Sequence, residues 1–127
     1  MKTEISTIFK KLQDQICLGL EKINTSSKFS EDLWERPGGG GGRSRTLSKG
    51  KIIQKGGVNF SEVSGPTPET ILKSLDLPLS DFYATGVSIV IHPVNPWVPI
   101  IHMNVRYFEI SDGTYWFGGG IDLTPHY

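Results

Sequence analysis

The chain has one cysteine, Cys17, which excludes an internal disulfide framework and a zinc site built from cysteine alone. It also lacks a long apolar run. The longest strongly apolar stretch, Val87–Ile91, is far short of the roughly 18 residues that a membrane-crossing helix needs. Net charge is absent too: thirteen basic residues balance thirteen acidic ones, so bulk attraction to nucleic acid or anionic lipid is not expected. Lys10, Lys11, Gln13 and Asp14 interrupt any apolar leader near the N-terminus. The sequence therefore predicts no signal peptide and, by default, a reducing cytoplasmic setting. No internal repeat is visible. With 127 residues, 37% hydrophobic and 20% charged, there is room for one folded domain over 1–127 and not for two.

Glycine and proline, by contrast, are plentiful, at fifteen and eight, which points to many turns and special loops. The zero net charge hides an asymmetry. Arg36, Arg43, Arg45, Lys49, Lys51 and Lys55 follow one another with no acid from Arg36 until Glu62, and five glycines, Gly38–Gly42, lie among them. Two readings stand side by side, a solvated loop or a stretch whose bare N–H groups meet an anion. It is neither a nucleotide P-loop, for want of a following Gly-Lys-Ser/Thr, nor a dinucleotide fingerprint, for want of a strand and helix around it. The segment from Phe82 to Tyr127 instead has one arginine, Arg106, no lysine, and all three histidines.

Hydrophobic spacing outlines the elements. Ile5, Ile8, Phe9, Leu12, Ile16, Leu20 and Ile23 recur every three or four residues, an amphipathic helix over about Thr3 to Asn24. Cys17 sits within it as a small packing residue. Lys51–Val63 reads as a strand interrupted by a bulge or hairpin at Gly56-Gly57. Thr67-Pro68-Glu69 opens a short helix to about Leu75. The period then changes to two, so Thr85–His92, Ile100–Ile110 and Thr114–Phe117 are strands, and Ser111-Asp112-Gly113 is the turn between the last two. The fold class that follows is α+β, an antiparallel sheet flanked by helices.

Alternation gives two strands a hydrogen-bonding side. His102, Asn104 and Arg106 share one face of Ile100–Ile110, while Ser88, Val90 and His92 share one face of Thr85–His92. Pairing across the proline-rich connection, with residue numbers summing to about 194, sets His92 against His102, Val90 against Asn104 and Ser88 against Arg106. A water-facing strand also alternates, but usually with Lys, Glu and Thr. Here the set is His, Asn and Arg: a proton-transfer group near neutral pH, an amide, and a planar fork for a carboxylate. Two histidines are half of a metal site, and a catalytic metal wants a third protein ligand. Further on, Gly118, Gly119 and Gly120 follow an aromatic strand and let a flat ligand or another backbone come close. Asp122 follows, either as an acceptor of N–H donors over the glycines or as a turn residue.

The segments RPGGGGGRSR (36–45), KGGVNFSEVSG (55–65), GVSIVIHPVNPWVPIIHMNVRYFE (86–109) and YWFGGGIDLTP (115–125) resemble, in order, those of oxygen-dependent coproporphyrinogen III oxidases. The likeness covers nearly everything from Trp34 onward, the motif-bearing region 34–127 after the helix of 1–24. His126 departs from the family's usual Pro-Tyr-Tyr. Family members continue well past this point, so the resemblance implies the N-terminal portion of such a domain. It further implies oxidative decarboxylation of two propionates of coproporphyrinogen III to vinyl groups, giving protoporphyrinogen IX in haem biosynthesis. Molecular oxygen is the co-substrate, no organic cofactor is used, and the enzyme is a cytoplasmic homodimer.

On this chain the resemblance matches His102 to a proton donor, and the chemistry it implies gives the other two expected catalytic residues their tasks: Asp122 to orient a pyrrole N–H and Arg106 to position the propionate. Ser88, Asn104, Val105 and Arg106 match substrate contacts, Gly118–Gly120 admit the macrocycle, and Arg43 and Arg45 are further carboxylate partners. His92 and His102 match two histidines proposed as metal ligands in some bacterial members, which leaves a divalent metal open. The other reading of the same residues is a non-catalytic fragment that binds a tetrapyrrole or anion.

Overall fold

The computed structural model describes residues 2–24, 28–37, 39–48, 50–67, 73, 81–111 and 113–124. Among the described residues a long helix, α1 (Lys2–Asn24), precedes six strands: β1 (Ser30–Glu35), β2 (Gly40–Ser48), β3 (Ile53–Pro66), β4 (Asp81–Pro93), β5 (Ile100–Ile110) and β6 (Tyr115–Thr124). They form one sheet in the order β1-β2-β3-β4-β5-β6, every neighbouring pair antiparallel. The expected α+β class with an antiparallel sheet is therefore observed. No described helix is long and apolar enough to cross a membrane. The short helix expected from Thr67 to Leu75 falls largely outside the described residues.

One face of the sheet carries the core. Val58 and Phe60 of β3, Val87 and Ile89 of β4 and Tyr107 of β5 pack with Ile5, Phe9 and Cys17 of α1. Burying each large side chain stabilises the fold by about 1.5–3 kcal/mol. The helix is amphipathic for that reason: Ile5, Phe9, Leu12, Ile16 and Leu20 lie against the sheet, whereas Ile8 and Ile23 of the expected stripe are exposed, and Lys10 places its ammonium over the Phe60 ring. The stripe does not reach the last two strands. On the same side of β5 and β6, Val105, Phe117, Ile121 and Leu123 remain exposed.

Polar side chains lock the helix in register. Gln13 is fully buried. Its Nε2 donates to the carbonyls of Arg43 (2.6 Å) and Val58 (2.8 Å), and its Oε1 accepts from Arg43 Nε (2.7 Å). Around it, Asp14 accepts from Arg43 (3.0 Å) and Arg45 (2.7 Å), and Glu31 of β1 accepts from Arg45 (2.9 Å). Burial works against the Arg45 charge, but hydrogen bonds to Glu31, Cys17 and Asp14 hold its pKa above the ordinary arginine value. Burial also pushes the Cys17 thiol up, with Arg45 opposing. At the helix end, buried Asn24 accepts the N–H groups of Ile52 and Ile53, both at 3.0 Å. Gly50 is required beside it, since a Cβ there would collide with the Asn24 side-chain amide and the Ile53 carbonyl.

Three local expectations need correction. The glycine run is not a loop: Gly40–Gly42 belong to β2, hydrogen-bonded between β1 and β3, with Trp34 opposite Gly42 and Ser61 on its other side. A β1 of polar composition carries no period-two signal, so of the two strands that flank the run only β3 was legible. Second, β3 runs unbroken through Gly56-Gly57, and the bulge lies earlier, between Ile53 and Lys55. Third, β6 continues through Gly118–Gly120 to Thr124 instead of stopping at Phe117. In each case ladder hydrogen bonds to a neighbouring strand outweigh glycine's weak strand propensity.

Two outcomes test this packing. Gln13→Ala removes the side-chain donor to the buried Val58 carbonyl and the part-buried Arg43 carbonyl and one acceptor of Arg43 Nε, and should lower the urea-unfolding free energy by about 3 kcal/mol; a loss below about 1 kcal/mol would contradict the assigned bonds. Cys17 should react with a thiol-specific disulfide reagent at pH 8 about 100-fold more slowly in the folded chain than in urea, because it is buried and its thiolate disfavoured.

Candidate functional site

The sheet face away from α1 is open, and antiparallel pairing sorts side chains onto it by parity. In β5 these are His102, Asn104, Arg106 and Phe108; in β4, Ser88, Val90 and His92; in β3, Lys55, Asn59 and Ser61. Register then defines rows across the strands. Thr46, Gly57, Val90, His102 and Asp122 form one row. Ser44, Asn59, Ser88, Asn104 and Gly120 form the next, and Gly42, Ser61, Gly86, Arg106 and Gly118 the third.

The predicted pairing of β4 with β5 is displaced. Partner numbers sum to 192, as in Ser88↔Asn104 and Val90↔His102, not 194. Arg106 therefore faces Gly86, and Ser88 faces Asn104. A two-residue displacement preserves parity, so every side chain stays on its expected face; a one-residue slip would have moved them all. The His92–His102 apposition is lost. The two are diagonal neighbours, about 7–8 Å apart, and His92 lies directly opposite Lys55 instead. An ammonium beside His92 works against a cation there. Among the described residues no group of three or more His, Cys, Asp or Glu gathers to hold a metal.

His102 gains a partner that spacing did not reveal. Asp122 is its direct cross-strand neighbour on β6, which places the two Cβ atoms about 4.5–5.5 Å apart. His102 and Arg106 are both exposed, and Asn104 is half-buried between them. The structure thus brings His102, Asn104, Arg106, Asp122 and Ser88 onto one face. Asn59, Ser61, Gly86, Ser88, Asn104, Arg106 and Phe108 line a depression of about 310 Å³ there, with the Val105 backbone in its floor. The Val105 side chain points to the α1 side with Tyr107.

Arg43 and Arg45 do not join this group. Their positions opposite Phe60 and Val58 put them on the helix side, where Asp14, Glu31 and Gln13 engage them. The three glycines also divide. Gly118 and Gly120 lie on the open face, and a Cβ added at either meets nothing within 4 Å. Gly119 faces the other way, where a Cβ would lie 2.7 Å from the Asn104 carbonyl. Chain packing therefore demands glycine at 119, whereas at 118 and 120 its absence of side chain leaves bare, open floor.

Two features were missed by sequence reasoning. Phe82, Phe108 and Trp116 stack in succession across β4, β5 and β6, with centroid distances of 5.6 and 4.5 Å, walling the Arg106 end of the face. Lys55, Asn59 and Ser61 extend the polar face onto β3. The alternation Lys55-Gly56-Gly57-Val58-Asn59-Phe60-Ser61 carries the same period-two signal as β4 and β5, and reading the glycine pair as a break masks it.

With this geometry in place, comparison with known proteins is direct. Residues 4–127 match the family model described as coproporphyrinogen III oxidase. Similar relatives include the oxygen-dependent coproporphyrinogen-III oxidase from Prochlorococcus marinus (strain NATL1A), 54% identical over 91% of this chain and 34% of the relative. Its counterpart from a second Prochlorococcus marinus strain is 48% identical over 99% of this chain and 37% of the relative. A third, from Coxiella burnetii (strain Dugway 5J108-111), is 47% identical over 98% of this chain and 42% of its own length. The chain thus spans between a third and about two fifths of these relatives. It belongs to the coproporphyrinogen III oxidase family.

Proposed function

We propose that the open sheet face is the substrate floor of an oxygen-dependent coproporphyrinogen III oxidase. The reaction removes carbon dioxide from two propionate side chains in turn. In each step a propionate and one O2 yield a vinyl group, CO2 and H2O2: a C–C bond and a C–H bond break, the side chain is oxidised by two electrons, and oxygen is reduced. Two such steps convert coproporphyrinogen III to protoporphyrinogen IX. No organic cofactor enters, and a cytoplasmic homodimer belongs to the same reading through the family likeness. The observation that carries it is the convergence of His102, Asp122, Asn104, Ser88 and Arg106 on one face beside Gly118 and Gly120.

Each group has a chemical task. Arg106 offers a fork to the reacting propionate. Gly118 and Gly120 let a flat macrocycle approach the backbone, so that Asp122 accepts pyrrole N–H donors and orients the electron-rich ring toward oxygen. His102, opposite Asp122 across the β5–β6 pair, is suited to deliver or take the proton that accompanies oxygen reduction. Ser88 and Asn104 supply hydrogen bonds at the centre of the floor, with the Val105 backbone beneath.

Incubated with coproporphyrinogen III under oxygen, the chain should release H2O2 and form protoporphyrinogen IX. Binding without turnover would overturn the oxidative step and leave a tetrapyrrole-binding platform. Arg106→Ala should lower kcat/KM about 10- to 150-fold, the equivalent of a charged hydrogen bond of about 1.5–3 kcal/mol; wild-type kinetics would remove Arg106 from the mechanism. Gly120→Leu should leave the urea midpoint unchanged while weakening coproporphyrin binding at least about tenfold. Gly119→Leu should do the reverse, lowering stability first through its clash with the Asn104 carbonyl. Equal effects at both positions would contradict an open floor at Gly120.

A further inference from the structure

The open face has a second depression, larger than the first, to which the proposed function assigns no task. It measures about 930 Å³ and is lined by Thr46, Ser48, Gln54, Lys55, Asn59 and His92, with Gly56, Gly57 and Val90 as its floor. Its composition is one-sided: a lysine, a histidine, two hydroxyls and two amides, with no Asp or Glu. Lys55 and His92 are cross-strand partners, so two groups able to carry positive charge stand side by side, an arrangement that attracts an anion. Neither takes part in an ion pair among the described residues. This is the reverse of Arg43 and Arg45, whose charges are matched by Asp14 and Glu31.

The depression is continuous with the first. Asn59 lines both, and Val90, in its floor, is the register partner of His102. Lys55 and Arg106 bracket the polar face from opposite ends. Lys55 and Ser61 are six residues apart on β3, and Ser61 shares a row with Arg106 two strands away. At about 3.3 Å per residue and about 4.8 Å per strand, their Cα atoms lie about 22 Å apart. That is too far for both to hold one carboxylate. It suits two carboxylates at opposite edges of one macrocycle, because both cationic side chains are long and reach inward.

We propose that the Lys55–His92 depression is a second carboxylate subsite. It takes a propionate remote from the one held at Arg106 and fixes the rotation of a tetracarboxylate ring over the floor. This rests on the proposed function, which supplies the polyacid, and adds that one of its non-reacting carboxylates is held at β3. Lys55 is in this view a positioning residue.

Fluorescence titration of the chain with coproporphyrin III, the stable oxidised tetracarboxylate, tests the assignment. Lys55→Gln should weaken binding on the order of tenfold and Lys55→Arg should restore it. Lys51→Gln, an exposed lysine outside the depression, should change it less than about twofold, and circular dichroism should show all variants folded alike. If Arg106→Gln weakens binding while Lys55→Gln matches the parent, the second subsite is wrong and the proposed function stands. Equal losses for Lys55→Gln and Lys51→Gln mean general charge attraction and also overturn it. If the parent chain fails to bind, or binds the tetramethyl ester as tightly as the acid, both readings fall together.

Discussion

The constraint on which the molecule depends is strict alternation across an unbroken antiparallel ladder. From β1 to β6 every strand pairs only with its sequence neighbours, and β2 to β6 each contribute side chains to both faces in turn. Once Val58, Phe60, Val87 and Ile89 turn toward α1, Asn59, Ser88, Asn104, Arg106 and Asp122 have no choice but the other side. The hydrophobic core and the polar floor are two faces of one pleat, and the core holds the floor in register.

The helix side shows how charge is used in two ways within one small sheet. Arg43 and Arg45 sit at the border of the core, each largely shielded and bound by Asp14, Glu31 or Gln13. Removing solvent from a guanidinium is costly, and fixed acceptors must compensate for it. Such arginines fasten α1 to β1 and β2 and are not free to meet a ligand. On the open side Arg106 and Lys55 stand beside hydroxyls and amides. A polyanion arriving at β3–β6 finds donors with one carboxylate among them, Asp122, whose place next to His102 suits N–H donors and protons better than another carboxylate; Asp32 shares this face at the far edge, on β1 opposite Ser44.

Much of this was readable in the residues. α1 follows from its three-and-four spacing, and β4 and β5 from their period of two, because burial on one face leaves a periodic trace. The shared face of His102, Asn104 and Arg106 follows from the same parity and survives a displaced register. Reading failed where burial leaves no such trace. The first three residues of β2, Gly40–Gly42, have no side chains to alternate, β1 is nearly all exposed, and Gly118–Gly120 continue a strand only because β5 offers ladder bonds beside them.

By itself the sequence determined the parity of each strong strand, the amphipathic helix and the family, since these depend on residue type and local spacing along one segment. Tertiary structure alone decided which segments lie side by side. It set Asp122 against His102 and Lys55 against His92, and it turned Arg43 and Arg45 toward the helix. Those outcomes depend on cross-strand register and on hydrogen bonds between residues far apart in the chain, and no local pattern encodes such distances.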